Sequence, residues 1–306
     1  IKQARRKLKK VHKASSKRPA VAIFGISQVG KSYLVQNLTK PENDTYLQIK
    51  IPGKDQPAEF ILDMNPPGGG KESTGTVTRF TSNESKGTAD YPIKVELFSQ
   101  LDIASILTNA YLSDLLDIEY EKELINTEHI QEVFRVGLSD QEVAGLSEDE
   151  VILFSDYILR NFKGLAMISD LEASGYFREL NAKLARVSIK ERVNLLKLLW
   201  NKDEFFTDLY VKLLETIESL EYAESVYVNY DSVGPNSTTI LDVSRVNELF
   251  NPNQLKEVKA LLRDGKTTSI NRSIFSILTK EVELQIANQF EQGEERDFIN
   301  QCDVLD

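Results

Sequence analysis

The chain has 306 residues, of which 41% are hydrophobic and 27% are charged, and this composition is typical of a folded globular protein with a sizeable core. Its apolar runs are too short to cross a bilayer, and its single cysteine, Cys302, excludes an internal disulfide framework. Two histidines and one cysteine are too few for a structural zinc site. These features predict a location in the reducing cytoplasm.

The net charge of −10 conceals a strongly basic start, because no acidic residue precedes Glu42. We expect residues 1–18 to form a basic N-terminal segment that is helical and solvated. A weaker alternative is that this segment contacts nucleic acid, the acidic body of the chain, or an anionic membrane to which the protein would bind peripherally. The basic residues are Lys2, Arg5, Arg6, Lys7, Lys9, Lys10, Lys13, Lys17 and Arg18.

The strongest motif follows this segment. Residues 20–24, AVAIF, form a continuous apolar run that predicts a strand buried on both faces of a parallel sheet. Residues 25–32, GISQVGKS, fit the P-loop pattern G-x-x-x-x-G-K-[ST] at every fixed position. Helix-compatible apolar spacing continues over 32–38, and Pro41 ends that element. A strand, a loop and a helix in this order indicate a P-loop in its proper context.

The residue types of this loop explain its chemistry. Glycines at both ends permit backbone angles that a Cβ would forbid, so that successive N–H groups can surround a polyphosphate. Lys31 would bring a positive charge to the β- and γ-phosphates, and the Ser32 hydroxyl would bind Mg²⁺. The helix start adds free N–H groups and the positive end of its dipole. The predicted nucleotide-binding residues are Gly25, Ile26, Ser27, Gln28, Val29, Gly30, Lys31 and Ser32.

The rest of the chain divides by its hydrophobic periodicity. Strand patterns occur at 46–51, 60–62, 91–98, 225–230, 238–242 and 281–286. Residues 255–262 are predicted to be helical. We therefore expect four parts, namely the basic segment 1–18, the first part of a P-loop core at 19–99, a helical insert at 100–223, and a return to the core at 224–306.

The middle part has the features of a helical subdomain. It is poor in Gly and Pro, and Ser147 with Glu150 and Ser188 with Glu191 form capping-box patterns ahead of apolar clusters. An apolar stripe at helical spacing runs through 205–220. We expect this stripe to form the core of the subdomain. The alternative is a face that binds a protein partner or a membrane.

A second candidate segment lies at 65–81, NPPGGGKESTGTVTRFT. Its run 74–79, TGTVTR, resembles the first switch of the dynamin superfamily, where a Ser-Gly-hydrophobic-Val-Thr-Arg run holds the metal-binding threonine. That resemblance implies that Thr78 completes the Mg²⁺ shell when a γ-phosphate is present. The longer string from Asn65 to Phe80 resembles the SrfC-like putative bacterial virulence factors. The resemblance rests on 20–40, 60–82 and the chain end.

The loop departs from the dynamin-like pattern at Ser27-Gln28, and the role of Arg79 is open between two interpretations. Dynamin-like P-loops usually carry Gln-Ser where this chain has Ser27-Gln28, so the candidate catalytic residue is Gln28, through contact with the transition state or a water. Arg79, directly after Thr78, is expected either to assist catalysis or to pair with a neighbouring carboxylate.

The chain ends on a third candidate, CDVLD at 302–306. P-loop GTPases and ATPases hold Mg²⁺ through an acidic residue at the end of a second buried strand. We expect Asp306 to be this residue, with Asp242 and Asp63 as alternatives. In SrfC-like sequences the corresponding strand continues into Phe-Pro-Gly, and we therefore expect the chain to be a fragment that ends inside this motif.

These patterns predict an α/β fold with a sheet of the P-loop NTPase type, incomplete if the chain is a fragment, and a large helical insert subdomain. The resemblance implies a dynamin-like GTPase that binds GTP and Mg²⁺ and forms a homodimer across the nucleotide. Its catalytic residues would be Lys31, Thr78 and Gln28, and its metal-binding residues Ser32, Thr78 and Asp306. Two alternatives stay open, namely a nucleotide-dependent scaffold with a protein partner on the helical subdomain, and an ATP-specific P-loop protein.

Overall fold

The structure, a computed structural model, describes residues 4, 8, 11–12, 14–25, 30–40, 46–64, 76–114, 126–234, 240, 256–287, 299 and 301–306. The chain divides into two compact units. The first unit comprises Ile1–Leu97 and Ala223–Asp306 and is built on a β-sheet, whereas the second unit, Phe98–Tyr222, is helical.

The first unit contains a mixed eight-stranded sheet. Its strands are β1 Ala20–Ala22, β4 Val77–Thr81, β5 Ile93–Leu97, β6 Ser225–Val228, β7 Glu257–Leu261, β8 Thr267–Asn271, β9 Thr279–Gln285 and β10 Asp303–Leu305. They follow the order β1-β10-β4-β9-β5-β6-β7-β8. β1 is parallel to β10, and β4 is parallel to β9, while the other neighbours are antiparallel. β2 Gln48–Ile49 and β3 Ala58–Glu59 form a separate antiparallel pair.

The two faces of this sheet differ in chemistry, because side chains alternate along each strand. The register places Val304, Phe80, Val282, Val95 and Val226 on one face, where all five are buried. The edge of the Phe60 ring packs on the Phe80 ring, with 4.8 Å between centroids. The opposite face carries charged side chains, and we call it the polar face.

The described residues of the sheet unit contain few helices. Helix α1, Lys31–Thr39, follows the candidate loop, and α9, Arg272–Leu278, lies against β7, β8 and β9. Among the described residues of the first eighteen, positions 4, 8, 11–12 and 14–15 are helical, as predicted for the basic segment.

Several predicted strands are confirmed, namely those at 20–24, 46–51, 91–98, 225–230, 281–286 and the chain end, although most are shorter than the sequence pattern. The burial predicted for 20–24 on both faces is wrong, because β1 stands first in the order of the described strands and Val21 is 50% exposed. The apolar stretch 60–62 lies instead in a π-helical turn, Phe60–Met64. Of the predicted strand 238–242, only Ile240 belongs to the described residues.

The helix predicted at 255–262 is wrong, since Glu257–Leu261 forms β7. Val258, Ala260 and Leu262 are buried while Lys259 between them is exposed, so the segment has a period of two. A turn at Gly265, where φ is +88°, allows β8 to pair back along β7. Pairing on both edges of β7 therefore overrides the helical propensity of its residues.

The helical unit confirms the two capping boxes, Ser147 with Glu150 and Ser188 with Glu191. Most of the stripe over 205–220 is buried, as expected for a core, although Phe205 is exposed. The helices are α2 Gln100–Asp114, α3 Thr127–Val133, α4 Glu148–Phe162, α5 Ala166–Ala173, α6 Tyr176–Lys183, α7 Ile189–Leu196 and α8 Glu204–Ser219, with 3₁₀ turns at Leu184–Arg186 and Lys197–Trp200.

A buried arginine ties this unit together. The Arg192 guanidinium donates to the Gln100 side chain at 3.1 Å and to the carbonyls of Val143 and Ala144 at 2.9 and 3.1 Å. Burial lowers the pKa of Arg192. These bonds join α7 to α2 and to the segment before α4.

Candidate functional site

The candidate site lies where β1 and β10 end side by side. The Ile23 N–H donates to the Leu305 carbonyl at 3.0 Å, directly after β1. The two strands are parallel, so their carboxyl ends share one edge of the sheet. The loop that starts at Gly25 therefore leaves the sheet beside Asp306.

Thr78 reaches the same edge from the other side of β10. The Thr78 N–H donates to the Asp306 carbonyl at 2.9 Å, and the Asp306 N–H donates to the Thr78 carbonyl at 3.0 Å. Residues that exchange both bonds stand directly opposite, and their side chains share one face. Thr78 is 4% exposed, and Asp306 is half-buried. The fold thus makes direct neighbours of two of the three predicted metal-binding residues, which lie more than two hundred positions apart in the sequence.

Helix α1 follows the candidate loop and starts at Lys31. Its N-cap, Gly30, has a φ of +86° and offers no side chain to its N–H groups, and the first turn carries no acidic residue. Such an end attracts anions. The Lys31 ammonium donates to the Gly25 carbonyl at 3.0 Å and so spans the loop from its last part to its first residue.

Other predicted site residues lie outside the described part of the chain. These are Ile26, Ser27, Gln28 and Val29 of the loop, and residues 65–75 of the switch-like segment. Their roles stay predictions. Asp242, one of the alternative metal residues, also lies outside, whereas the Asp63 carboxylate accepts the Glu59 N–H at 2.7 Å within the same turn.

The donor set fits Mg²⁺, which prefers oxygen ligands. Ser32 and Thr78 bring hydroxyls and Asp306 a carboxylate, although the described residues contain no cluster of three or more His, Cys, Asp or Glu. Thr76, just before β4, is 6% exposed, and its hydroxyl lacks a hydrogen-bond partner among the described residues. A buried hydroxyl in this state keeps its capacity to bind an ion or water.

Arg79 lies next to this site but faces away from it, onto the polar face. Its Nε donates to Glu281 at 2.7 Å, and its Nη1 donates to Asp303 at 2.9 Å. The three side chains are 8%, 10% and 5% exposed. Burial alone would lower the pKa of Arg79, but the hydrogen bonds and charges of both carboxylates outweigh it and raise that pKa. Arg79 therefore pairs with neighbouring carboxylates, as one of its two interpretations expected.

The N-terminal segment completes this ion-pair network. Glu96 and Glu281 stand directly opposite on β5 and β9, which would be repulsive by itself. The Lys17 ammonium donates to Glu96 and lies 3.8 Å from Glu281, so it offsets that repulsion. Arg18 lies 3.6 Å from Asp303 and donates to Ser82 at 2.9 Å. The contact of the basic segment with the body of the chain is thus present at these two residues.

Sequence reasoning did not assign a role to the carboxylates that hold Arg79. Charged residues at alternate positions of 91–98 and 281–286 signal a polar face, and this signal was available in the sequence. The pairing of Lys94 with Glu283, at 2.9 Å, follows from the same pattern. Which carboxylate meets which cation depends on strand order, which the pattern does not contain.

The described residues define an α/β protein, built on a mixed eight-stranded sheet in which β1 stands first in the strand order and precedes helix α1 in the chain. Within the described part of the chain, no helix combines the length and the apolar composition needed to span a bilayer. A family model described as putative bacterial virulence factor matches residues 1–306, and the chain belongs to that family. No curated protein and no solved structure matches it.

Replacing Arg79 by alanine is expected to lower the free energy of unfolding by about 3 to 5 kcal/mol, because Glu281 and Asp303 would keep buried charges without their main partner. Urea unfolding followed by circular dichroism measures this change. The control is Arg263→Ala, which removes an exposed arginine from the turn between β7 and β8. Equal stability of the two variants would contradict the structural role of Arg79.

The network also makes stability depend on pH. Burial acts to raise the pKa of Glu96, but Lys17 and Lys94 outweigh it and lower that pKa below 4.5. The stabilisation from Glu96 is therefore complete above pH 4.5 and is lost as the pH falls through the lowered value. Unfolding of Glu96→Gln measured from pH 6 to 3, with the exposed Glu84→Gln as control, should show a shallower loss of stability in acid. A slope equal to that of the wild type would exclude this contribution.

Proposed function

We propose that the chain is the nucleotide-binding module of a bacterial virulence factor, and that it acts as a dynamin-like GTPase with slow intrinsic hydrolysis in the cytoplasm. One observation supports this most directly. The strand that leads into the Gly25–Ser32 motif ends beside β10, and β10 ends at Asp306 opposite Thr78. In the proposal, this edge of the sheet is where the phosphate-binding and metal-binding residues would meet.

Each residue of this edge has a defined task in the proposal. The backbone of residues 25–30 and the open start of α1 would bind the phosphates. Lys31 would exchange its bond with the Gly25 carbonyl for bonds to β- and γ-phosphate oxygens. Ser32 and Thr78 would hold Mg²⁺ directly and Asp306 through water. The metal, when bound, would neutralise the charge that develops between the phosphates.

Slow hydrolysis follows from how the neighbouring groups are engaged. Both edges of the Arg79 guanidinium bind carboxylates on the polar face, so this arginine is committed to the sheet. Thr78 is held by two backbone bonds to Asp306, and its position cannot change without breaking them. Gln28 remains the proposed group that positions the attacking water. Only the resemblance to dynamin-like proteins supports a preference for guanine over adenine.

A nucleotide-dependent scaffold is the second candidate. The commitment of Arg79 to structure favours it, because nucleotide binding does not require that arginine whereas fast hydrolysis needs added positive charge at the transferred phosphate. Phosphate release separates the two candidates. Steady release after binding indicates the GTPase, and binding without release indicates the scaffold.

The first test is binding of fluorescent GTP and ATP analogues in the presence of Mg²⁺. Lys31→Ala should weaken binding by about 10- to 100-fold, because it removes one charge-assisted contact to phosphate. Lys40→Ala, which removes a lysine just after the end of α1, should leave the affinity unchanged. Equal competition by ATP would reject the guanine assignment, and a folded protein without any binding would reject the proposal.

The metal assignment is tested by two matched variants. Thr78→Val keeps the shape of a buried side chain and removes its hydroxyl, so the gain in affinity that Mg²⁺ provides should fall by about tenfold. Thr76→Val makes the same change two residues earlier and should preserve that gain. Titrations with Mg²⁺ and with EDTA measure both. A loss in Thr76→Val alone would move the metal-binding role to Thr76.

A further inference from the structure

Two buried polar atoms in the helical unit lack a hydrogen-bond partner among the described residues, namely the Nε of Arg192 and the hydroxyl oxygen of Tyr210. Both side chains are fully buried, at 0% exposure. Arg192 belongs to α7 and Tyr210 to α8, and these two helices pack against each other. A buried polar atom without a protein partner is costly, and such an atom in a native structure calls for a bound ion or water.

The two side chains also interact electrostatically. Burial raises the pKa of Tyr210, and the nearby charge of Arg192 acts against that rise. With its pKa raised, Tyr210 is a neutral phenol at physiological pH and can donate a hydrogen bond. The Tyr210 ring packs on Trp200, with 5.5 Å between centroids, and Trp200 lies in the 3₁₀ turn directly after α7. The phenol is therefore fixed against the connection between the two helices.

The guanidinium of Arg192 carries a buried charge that no carboxylate pairs with in the described part of the chain. Its Nη atoms donate to neutral oxygens, those of the Gln100 side chain and of the carbonyls in the segment before α4. Arg79 of the sheet unit, in contrast, is held by two carboxylates. Burial lowers the pKa of Arg192, but an arginine keeps its charge in a protein. A buried charge of this kind requires compensation.

We propose that Arg192 and Tyr210 bind one small anion of the size of chloride inside the helical unit. The Arg192 Nε can only donate, and the Tyr210 hydroxyl donates as well, so together they suit an acceptor. An anion accepts both hydrogen bonds and neutralises the guanidinium, whereas a water molecule would leave the charge uncompensated. Full burial of both side chains favours a single-atom ion over a phosphate or a carboxylate.

The anion would extend the set of elements that Arg192 already joins. The guanidinium holds α2 through Gln100 and the segment before α4 through its carbonyls, and the anion would add α8 through Tyr210. Chloride would thereby stabilise the helical unit. This inference does not depend on nucleotide binding, which concerns residues of the other unit. Either proposal can hold when the other fails.

Urea unfolding of the full chain at increasing chloride concentration tests the inference, with gluconate added to keep the ionic strength constant. Trp200 is the only tryptophan of the chain and lies fully buried beside Tyr210, so its fluorescence reports on this part of the helical unit. When the site is nearly saturated, a tenfold rise in chloride should lower the unfolding equilibrium constant by up to about tenfold.

Two matched variants locate the effect. Tyr210→Phe keeps the ring and removes the hydroxyl, so most of the chloride dependence should disappear. Tyr176→Phe removes another fully buried hydroxyl of the same unit, one that already donates to the Leu195 carbonyl at 2.9 Å. This control should keep the chloride dependence of the wild type. An equal response to chloride in Tyr210→Phe and the wild type would overturn the inference, and so would a wild type whose stability does not change with chloride.

Crystals of the unmodified protein grown with bromide in place of chloride give a second readout. We expect an anomalous difference peak in contact with both the Arg192 Nε and the Tyr210 hydroxyl. A water molecule at that position, or the absence of an anomalous peak there, would reject the proposal.

Discussion

The buried pairing of Arg79 with Glu281 and Asp303 is the interaction on which the rest of the sheet unit depends. These residues belong to β4, β9 and β10, and β4 lies between the other two strands. A buried carboxylate or guanidinium is costly unless it is paired and hydrogen-bonded, so each group enforces the position of the other two. A shift of β4 by one residue would turn Arg79 into the apolar face and leave both carboxylates without it.

This constraint also positions the candidate site, which lies on the opposite face of the same strands. Thr78 precedes Arg79 on β4, and Asp306 follows β10, which begins at Asp303. When Arg79 meets Asp303 on the polar face, the register brings Thr78 opposite Asp306 on the other. Along these two strands, charged residues that stabilise the sheet therefore alternate with residues that have a proposed role in metal binding. The polar face supports the site without contributing a reactive group to it.

The N-terminal segment has a part in that support. Lys17 separates the opposed carboxylates of Glu96 and Glu281, and Arg18 reaches Asp303. Both cations come directly before Pro19 and β1, so the entry to the candidate loop is joined to the same network. The basic start of an acidic chain thus has a structural use at these two positions. β1 and β10 lie far apart in the sequence and contribute three residues each, so the site depends on a short strand pairing. A change in strand order would separate its residues.

Local patterns in the sequence determined the strand at 20–22 and the helix at 31–39, the two capping boxes and the helical character of the middle segment, because each depends on neighbours within a few residues. Tertiary structure decided the rest. Residues 257–261 became a strand because β6 and β8 pair with both of its edges, and no local preference records that pairing. Arg79 has a structural role because the fold places Glu281 and Asp303 beside it, although each lies more than two hundred residues away in the sequence. The meeting of Thr78 with Asp306 likewise follows from strand order and register, which long-range contacts set and a linear pattern does not contain.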